Sequence, residues 1–100
     1  MVEIVIDIAK DFSRAPAGRF VSDGPNSGER FREQFLLPAL HNNQRMAINL
    51  DGTRGLGSSF LEEAFGGLNR AGFSRDILLK SLKLISRDSS LVSEIQSYWQ

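Results

Sequence analysis

An α/β fold is predicted here, a small mixed four-stranded sheet covered by helices, and three observations predict it. Short apolar runs at 2–8, 46–50 and 81–86 alternate with segments whose apolar residues recur at helical spacing. The central run, Met46 to Leu50, stops at Asp51 and Gly52 and gives way to a glycine-rich loop. A new amphipathic segment opens directly after that loop, at Ser58 and Ser59. Strands alternating with helices imply a mixed or parallel sheet with helices packed on it.

The elements follow in order. Val2, Ile4, Ile6 and Ile8 alternate with Glu3, Val5 and Asp7, the period-two pattern of a strand with one buried face. Pro16, Ala17 and Gly18 read as a turn. Arg19, Phe20, Val21 and Ser22 predict a short second strand that pairs with the first as a hairpin. Residues 23–26 form a loop. Asn26 with Glu29 three residues on gives a helix start. Phe31, Phe35, Leu36, Ala39 and Leu40 then share one face. Pro38 lacks the N–H a helix interior needs, so the helix is expected to kink and run to Leu40 or His41.

The stretch from Met46 to Gly72 is the centre of the chain. Met46, Ala47, Ile48 and Leu50 predict a buried strand. Ser59 with Glu62 has the form of a capping box, and Phe60, Leu61, Ala64, Phe65 and Leu68 line one face of a helix over 58–70. Gly66 and Gly67 each cost such a helix about 1 kcal/mol against alanine, which suggests another backbone packed close by. Gly72 is the expected stop. Ser74 to Lys80 predicts a short helix that packs through Phe73, Ile77 and Leu78. Ser81 to Ser86 predicts the last strand. Asp88, Ser89 or Ser90 caps a final helix whose stripe is Leu91, Val92, Ile95, Tyr98 and Trp99.

Composition narrows the function. The chain has 100 residues and is expected to form one domain over 1–100, with no internal repeat or low-complexity segment. Twelve basic and twelve acidic side chains give a formal net charge of zero, which argues against a nucleic-acid binder and against attraction to a membrane surface. No apolar run is long enough to span a bilayer, and no signal-peptide pattern is evident. Cysteine is absent, so disulfides, thiol catalysis and thiolate metal sites are excluded, and a cytoplasmic location is expected. The single histidine, His41, has no histidine partner, and a surface or capping role is expected for it. No metal, no cofactor and no catalytic residues are expected. Asp7, Asp51, Glu62 and Glu63 could in principle form a carboxylate cluster around a divalent ion, but the preferred reading has Glu62 as a cap and Glu63 as a solvated charge.

The residues Ile6 to Phe20, Ser27 to Glu33 with Leu36 to Leu40, Ile48 to Gly52 and above all Gly57 to Leu68 (GSSFLEEAFGGL) resemble the STAS domain, named for sulfate transporters and anti-sigma factor antagonists. The nearer likeness is to small bacterial STAS-like domains of unassigned function. In the antagonists a serine at this strand-to-helix junction is phosphorylated by a partner kinase with the ATPase fold of histidine kinases. The resemblance therefore implies a bacterial, cytoplasmic, non-enzymatic regulatory module. It would dock a protein partner through loop 52–59 and the exposed side of helix 58–70, with Ser58 or Ser59 as phosphoacceptor. The antagonists usually carry Asp-Ser-Ser/Thr-Gly there; this chain has Gly57, Ser58, Ser59 and Phe60.

Two alternatives stand beside that expectation. Serines at a helix start are commonly plain caps. The run from Gly52 through Arg54, Gly55 and Gly57 to Ser58 and Ser59 also has the two-glycine spacing of a phosphate-binding loop, with a strand before it and a helix after it. It lacks the lysine of such loops, because Ser58 holds that position. A small-ligand, nucleotide or anion cradle is the second expectation, with Arg54 and Arg19 as candidate cations for a phosphate. Trp99 is expected in the core; exposed, it would mark a partner patch.

Overall fold

The computed structural model describes residues 3–100, so the predicted contribution of Val2 to the first strand lies outside the described residues. Three strands form one sheet in the order β1-β2-β3: β1 is Ile4–Asp7, β2 is Met46–Asn49 and β3 is Leu82–Ile85. Both pairings are parallel, and the register places Ile4 beside Met46 and Met46 beside Leu82. Among the described residues the sheet has one strand fewer than expected, and it is parallel rather than mixed.

The missing strand is the stretch 19–22, where Val21–Asp23 forms a turn of 3-10 helix. Its backbone donors are consumed locally. The Asp23 carboxylate accepts from the Arg19 and Phe20 N–H groups at 3.2 and 2.8 Å, and Glu29 accepts from the Val21 N–H at 2.8 Å. Three donors that a ladder requires are thereby satisfied within one loop. Phe20 and Val21 stay largely exposed, so they bring no core face that would outweigh this.

Parallel strands in sequential order need two crossovers of the same hand, which puts both connecting helices on one face. The first crossover helix covers 28–41 and the second 58–70. Ile4, Ile6, Met46, Ile48, Leu82 and Leu84 point toward them, and Ile6, Met46, Ile48 and Leu82 are buried. The opposite face carries Val5, which is 69% exposed, with Lys83 and Ile85. Phe31, Leu36, Phe60, Leu61, Phe65 and Leu68 fill the space between helices and sheet, joined by Ile95 of the last helix, Ser89–Ser97, and by Trp99 just beyond it. Trp99 is 2% exposed, and its indole N–H donates to the Phe65 carbonyl at 2.9 Å. It belongs to the core and not to a partner patch.

Each crossover helix widens into a π-helical turn at its middle, Arg32–Leu36 and Glu62–Gly66. In the first, the Leu37 N–H reaches back to Arg32, one residue further than in an α-helix. Pro38 follows at once, and the helix continues to His41 as expected. This helix is capped by Ser27, not Asn26: the Ser27 hydroxyl accepts from the Arg30 N–H at 3.2 Å. Gly28, next to the cap, is where backbones meet. A Cβ there would lie 2.5 Å from the Phe60 carbonyl oxygen and 3.0 Å from the Ala64 nitrogen. The close approach expected at Gly66 and Gly67 is of another kind. Arg32 crosses over Gly67, and the Glu62 carboxylate with the Tyr98 side chain lies at Gly66, so side chains and not a backbone fill those gaps.

The remaining elements follow their sequence signals. Gly72 takes φ 107° and lets the Phe73 N–H return to Leu68 at 3.2 Å, which closes the helix. Ser74 caps Arg75–Ser81 through the Ile77 N–H, and Asp88 caps the last helix through the Ser90 N–H. Leu78 packs in the core, whereas Ile77 is 48% exposed and does not.

Candidate functional site

The junction after β2 is built by side chains that hold the loop and leave the helix start bare. Asn49 accepts from the Asp51 N–H at 3.1 Å. The Asp51 carboxylate then reaches across to the segment after β3, accepting from the Ser86 hydroxyl at 3.2 Å and the Arg87 N–H at 3.1 Å. Gly52 turns the chain at φ 94°. The Arg54 N–H donates to the Arg14 carbonyl at 2.8 Å, which ties the loop to the N-terminal segment. Arg54, Gly55 and Gly57 are exposed.

Gly57 is the capping residue, in extended conformation, and no side chain caps this helix. Ser58 and Ser59 are its first two residues. The capping box expected of Ser59 and Glu62 is absent because both residues lie two positions too far along: Ser59 is already helical, and Glu62 is turned to two arginines. Arg70 and Arg19 both pair with Glu62, and their hydrogen bonds hold its carboxyl below the ordinary range, Arg70 contributing most. The hydrogen bond that Arg19 donates to Glu62 in turn raises the Arg19 guanidinium. Arg19 is therefore committed to helix 58–70, also reaching Glu63 at 3.4 Å, and is not a cation of loop 52–59. Glu63 is 8% exposed and is held by Arg32 at 2.7 Å, so it is a buried ion-paired group and not a solvated charge. With both glutamates engaged by arginines, no group of three metal-ligating side chains occurs among the described residues.

Both serines are exposed, and they differ in one respect. The Ser58 hydroxyl donates to the Glu94 carboxylate at 3.1 Å, and the Tyr98 hydroxyl donates to the same oxygen at 2.5 Å. Burial first, and the bond to Glu94 second, raise the Tyr98 hydroxyl above its ordinary value of 10.0. Ser59 has no hydrogen-bonding side-chain partner among the described residues. Ser58 thus joins the second crossover helix to the last helix. Glu94 and Tyr98 had no signal in the sequence, since they lie 36 and 40 positions beyond the serine.

Helix 58–70 has no exposed side along its length. Phe60, Leu61 and the run from Glu63 to Leu68 are all buried, and only Ser58, Ser59 and Arg70 are exposed. Whatever docks here meets the loop and the first turn. The expected phosphate cradle is likewise divided: Gly52 lies at the end of the sheet against Ala9, while Gly57, Ser58 and Ser59 open toward the last helix.

A family model described as STAS-like domain of unknown function (DUF4325) matches residues 27–91, well over half of the chain, and the protein belongs to that family. The match takes in both crossover helices, β2, the junction loop and β3. No curated protein and no solved structure matches the chain.

Proposed function

We propose that the protein is a non-enzymatic regulatory interaction module, bacterial and cytoplasmic, that docks a protein partner through loop 52–59 and the first turn of helix 58–70. The observation that carries this is the pair of exposed serines, Ser58 and Ser59, opening the helix after the central strand of a STAS-like domain. A kinase with the ATPase fold of histidine kinases is the partner class the family likeness suggests. Phosphate on a serine adds close to two negative charges at a helix N-terminus, where charge of that sign is favoured. On Ser58 it would also replace a hydrogen-bond donor to Glu94 with a like charge. The surface a partner meets would change in charge and in shape together.

Mass spectrometry of the protein taken from its host, and of protein incubated with ATP and a kinase-fold protein encoded nearby, tests this. One added phosphate on Ser58 or Ser59, lost in the matching alanine variant, is the expected result. Labelling that persists in the Ser58→Ala/Ser59→Ala variant would place the switch elsewhere. Failure of every such kinase-fold protein to bind would overturn the partner class.

A further inference from the structure

At the carboxyl end of the sheet, away from Ser58 and Ser59, a crevice of about 620 Å³ opens where β1 and β2 end and the segment after β3 begins. In parallel α/β sheets this end is where ligands bind, and the volume falls within the roughly 300–1,000 Å³ of small-molecule sites. Its lining divides by charge. Lys10, Arg14 and Arg87 are exposed, and their side chains make no ion pair or hydrogen bond among the described residues. Asp7 and Asp51 face the same space, but both serve the fold. Asp7 accepts from the Lys10 N–H at 3.2 Å and the Asn49 amide at 3.3 Å, while Asp51 holds the Ser86 and Arg87 segment.

The geometry points to a binding site for a small phosphorylated polyol or sugar in this crevice. Two guanidinium-bearing side chains and a lysine lining one opening suit a phosphate dianion, because planar donors engage its oxygens in pairs. A carboxylate oxygen has more than one acceptor position, so Asp7 and Asp51 keep capacity for ligand hydroxyls after their protein bonds are made. Asn49 adds an amide to that side. A phosphate beside hydroxyl groups matches cations beside acceptors, which neither a bare anion nor a neutral sugar does. Gly52 shapes the opening. A side chain there would begin 3.3 Å from the Ala9 Cβ, between the two loops that line the site.

Calorimetric titration of the full chain with glucose 6-phosphate, inorganic phosphate and glucose tests the assignment. Saturable binding of the sugar phosphate is expected, tighter by roughly tenfold than inorganic phosphate, with no binding of glucose. Arg14→Gln and Arg87→Gln should each weaken it by roughly tenfold, since each removes a charged hydrogen bond and neither side chain supports the fold. Ser58→Ala/Ser59→Ala should bind as the parent does, so the result is independent of the phosphorylation switch. No saturable binding at millimolar sugar phosphate would overturn the site. Equal affinity in an Arg14→Gln/Arg87→Gln protein whose melting temperature is unchanged would also overturn it. Inorganic phosphate binding as tightly as the sugar phosphate would remove the polyol from the proposal.

Discussion

Replacing Gly28 with alanine pits a small local gain against a rigid contact. The new Cβ would sit 2.5 Å from the Phe60 carbonyl oxygen, 3.0 Å from the Ala64 nitrogen and 3.1 Å from the Glu63 Cβ. Two of these three atoms are backbone in the middle of the structure, so no rotamer change relieves them. The crossover helices must separate by most of an ångström, in a core where Phe31, Phe60 and Phe65 already meet with ring centroids 6.0 to 6.2 Å apart. Overpacking of this kind costs about 1–3 kcal/mol, and backbone contact puts Gly28 in the upper part of that range. Alanine returns up to about 1 kcal/mol of helix propensity inside a helix, but less at its first residue. The net expectation is a loss of about 2 kcal/mol, or roughly 8–16 °C in melting temperature for a domain of this size. Thermal unfolding followed by far-ultraviolet circular dichroism measures it. An unchanged or raised melting temperature would refute the close approach of the two helices at this point.

Other perturbations probe the junction and its charges. Ser58→Glu should destabilise by about 1 kcal/mol more than Ser59→Glu, because only Ser58 faces Glu94, and Glu94→Gln should abolish the difference in urea unfolding. Gly57→Asp should raise stability by about 0.5–1 kcal/mol by supplying the missing cap and a charge suited to the helix start, read as an upward shift of the urea midpoint. Glu62 has a folded pKa below its unfolded value, so its pairing with Arg70 and Arg19 stabilises above the unfolded value and fades as pH falls through the folded one. Glu62→Gln should therefore lower stability at neutral pH and flatten the acid side of the stability–pH curve. Tyr98 is the single tyrosine, so phenolate absorbance reports it alone. It should ionise above pH 10 in the folded protein, and stability should decline from pH 10 upward until the folded group ionises; Glu94→Gln should lower the midpoint.

Much of the architecture was legible because its signals are local. The alternation at 4–8, the apolar run at 46–50, and the spacing of Phe60, Leu61, Ala64, Phe65 and Leu68 each dictate one element and its buried face. Residues 19–22 misled for a physical reason. Phe20 and Val21 favour a strand, but the Asp23 and Glu29 carboxylates take the N–H groups a strand would use, and that competition depends on where a loop folds back. The helix starts shifted by one or two residues because several residues suited to a cap stood in line: Ser27 caps in place of Asn26, and Gly57 takes the capping position ahead of Ser58 and Ser59 with no side chain to offer. At the junction, exposure of the two serines followed from their place before the first buried residue, Phe60. The arginine cage around Glu62 and Glu63 and the Ser58–Glu94–Tyr98 contact join residues far apart in the chain, and no spacing announces them. Lys10 and Arg87 gain a common crevice only once β1 and β3 are known to flank β2.

The widened turns in the two crossover helices make the chain's length part of its design. A π-helical turn absorbs one residue beyond the α-helical count, and here the two such turns lie in helices packed against each other. Deleting one residue from Glu62–Gly66 would let that helix run as a regular α-helix with the residues beyond it near their present faces, whereas a deletion outside the widened turn would rotate everything beyond by about 100° against the part before it. In that second case Leu68 would swing out of the core and the turn at Gly72 would point elsewhere. In this fold the widened turns are the places within the helices that can lose a residue and keep the core in register, just as exposed Gly55 can shorten its loop, while a deletion elsewhere in either helix misdirects the chain.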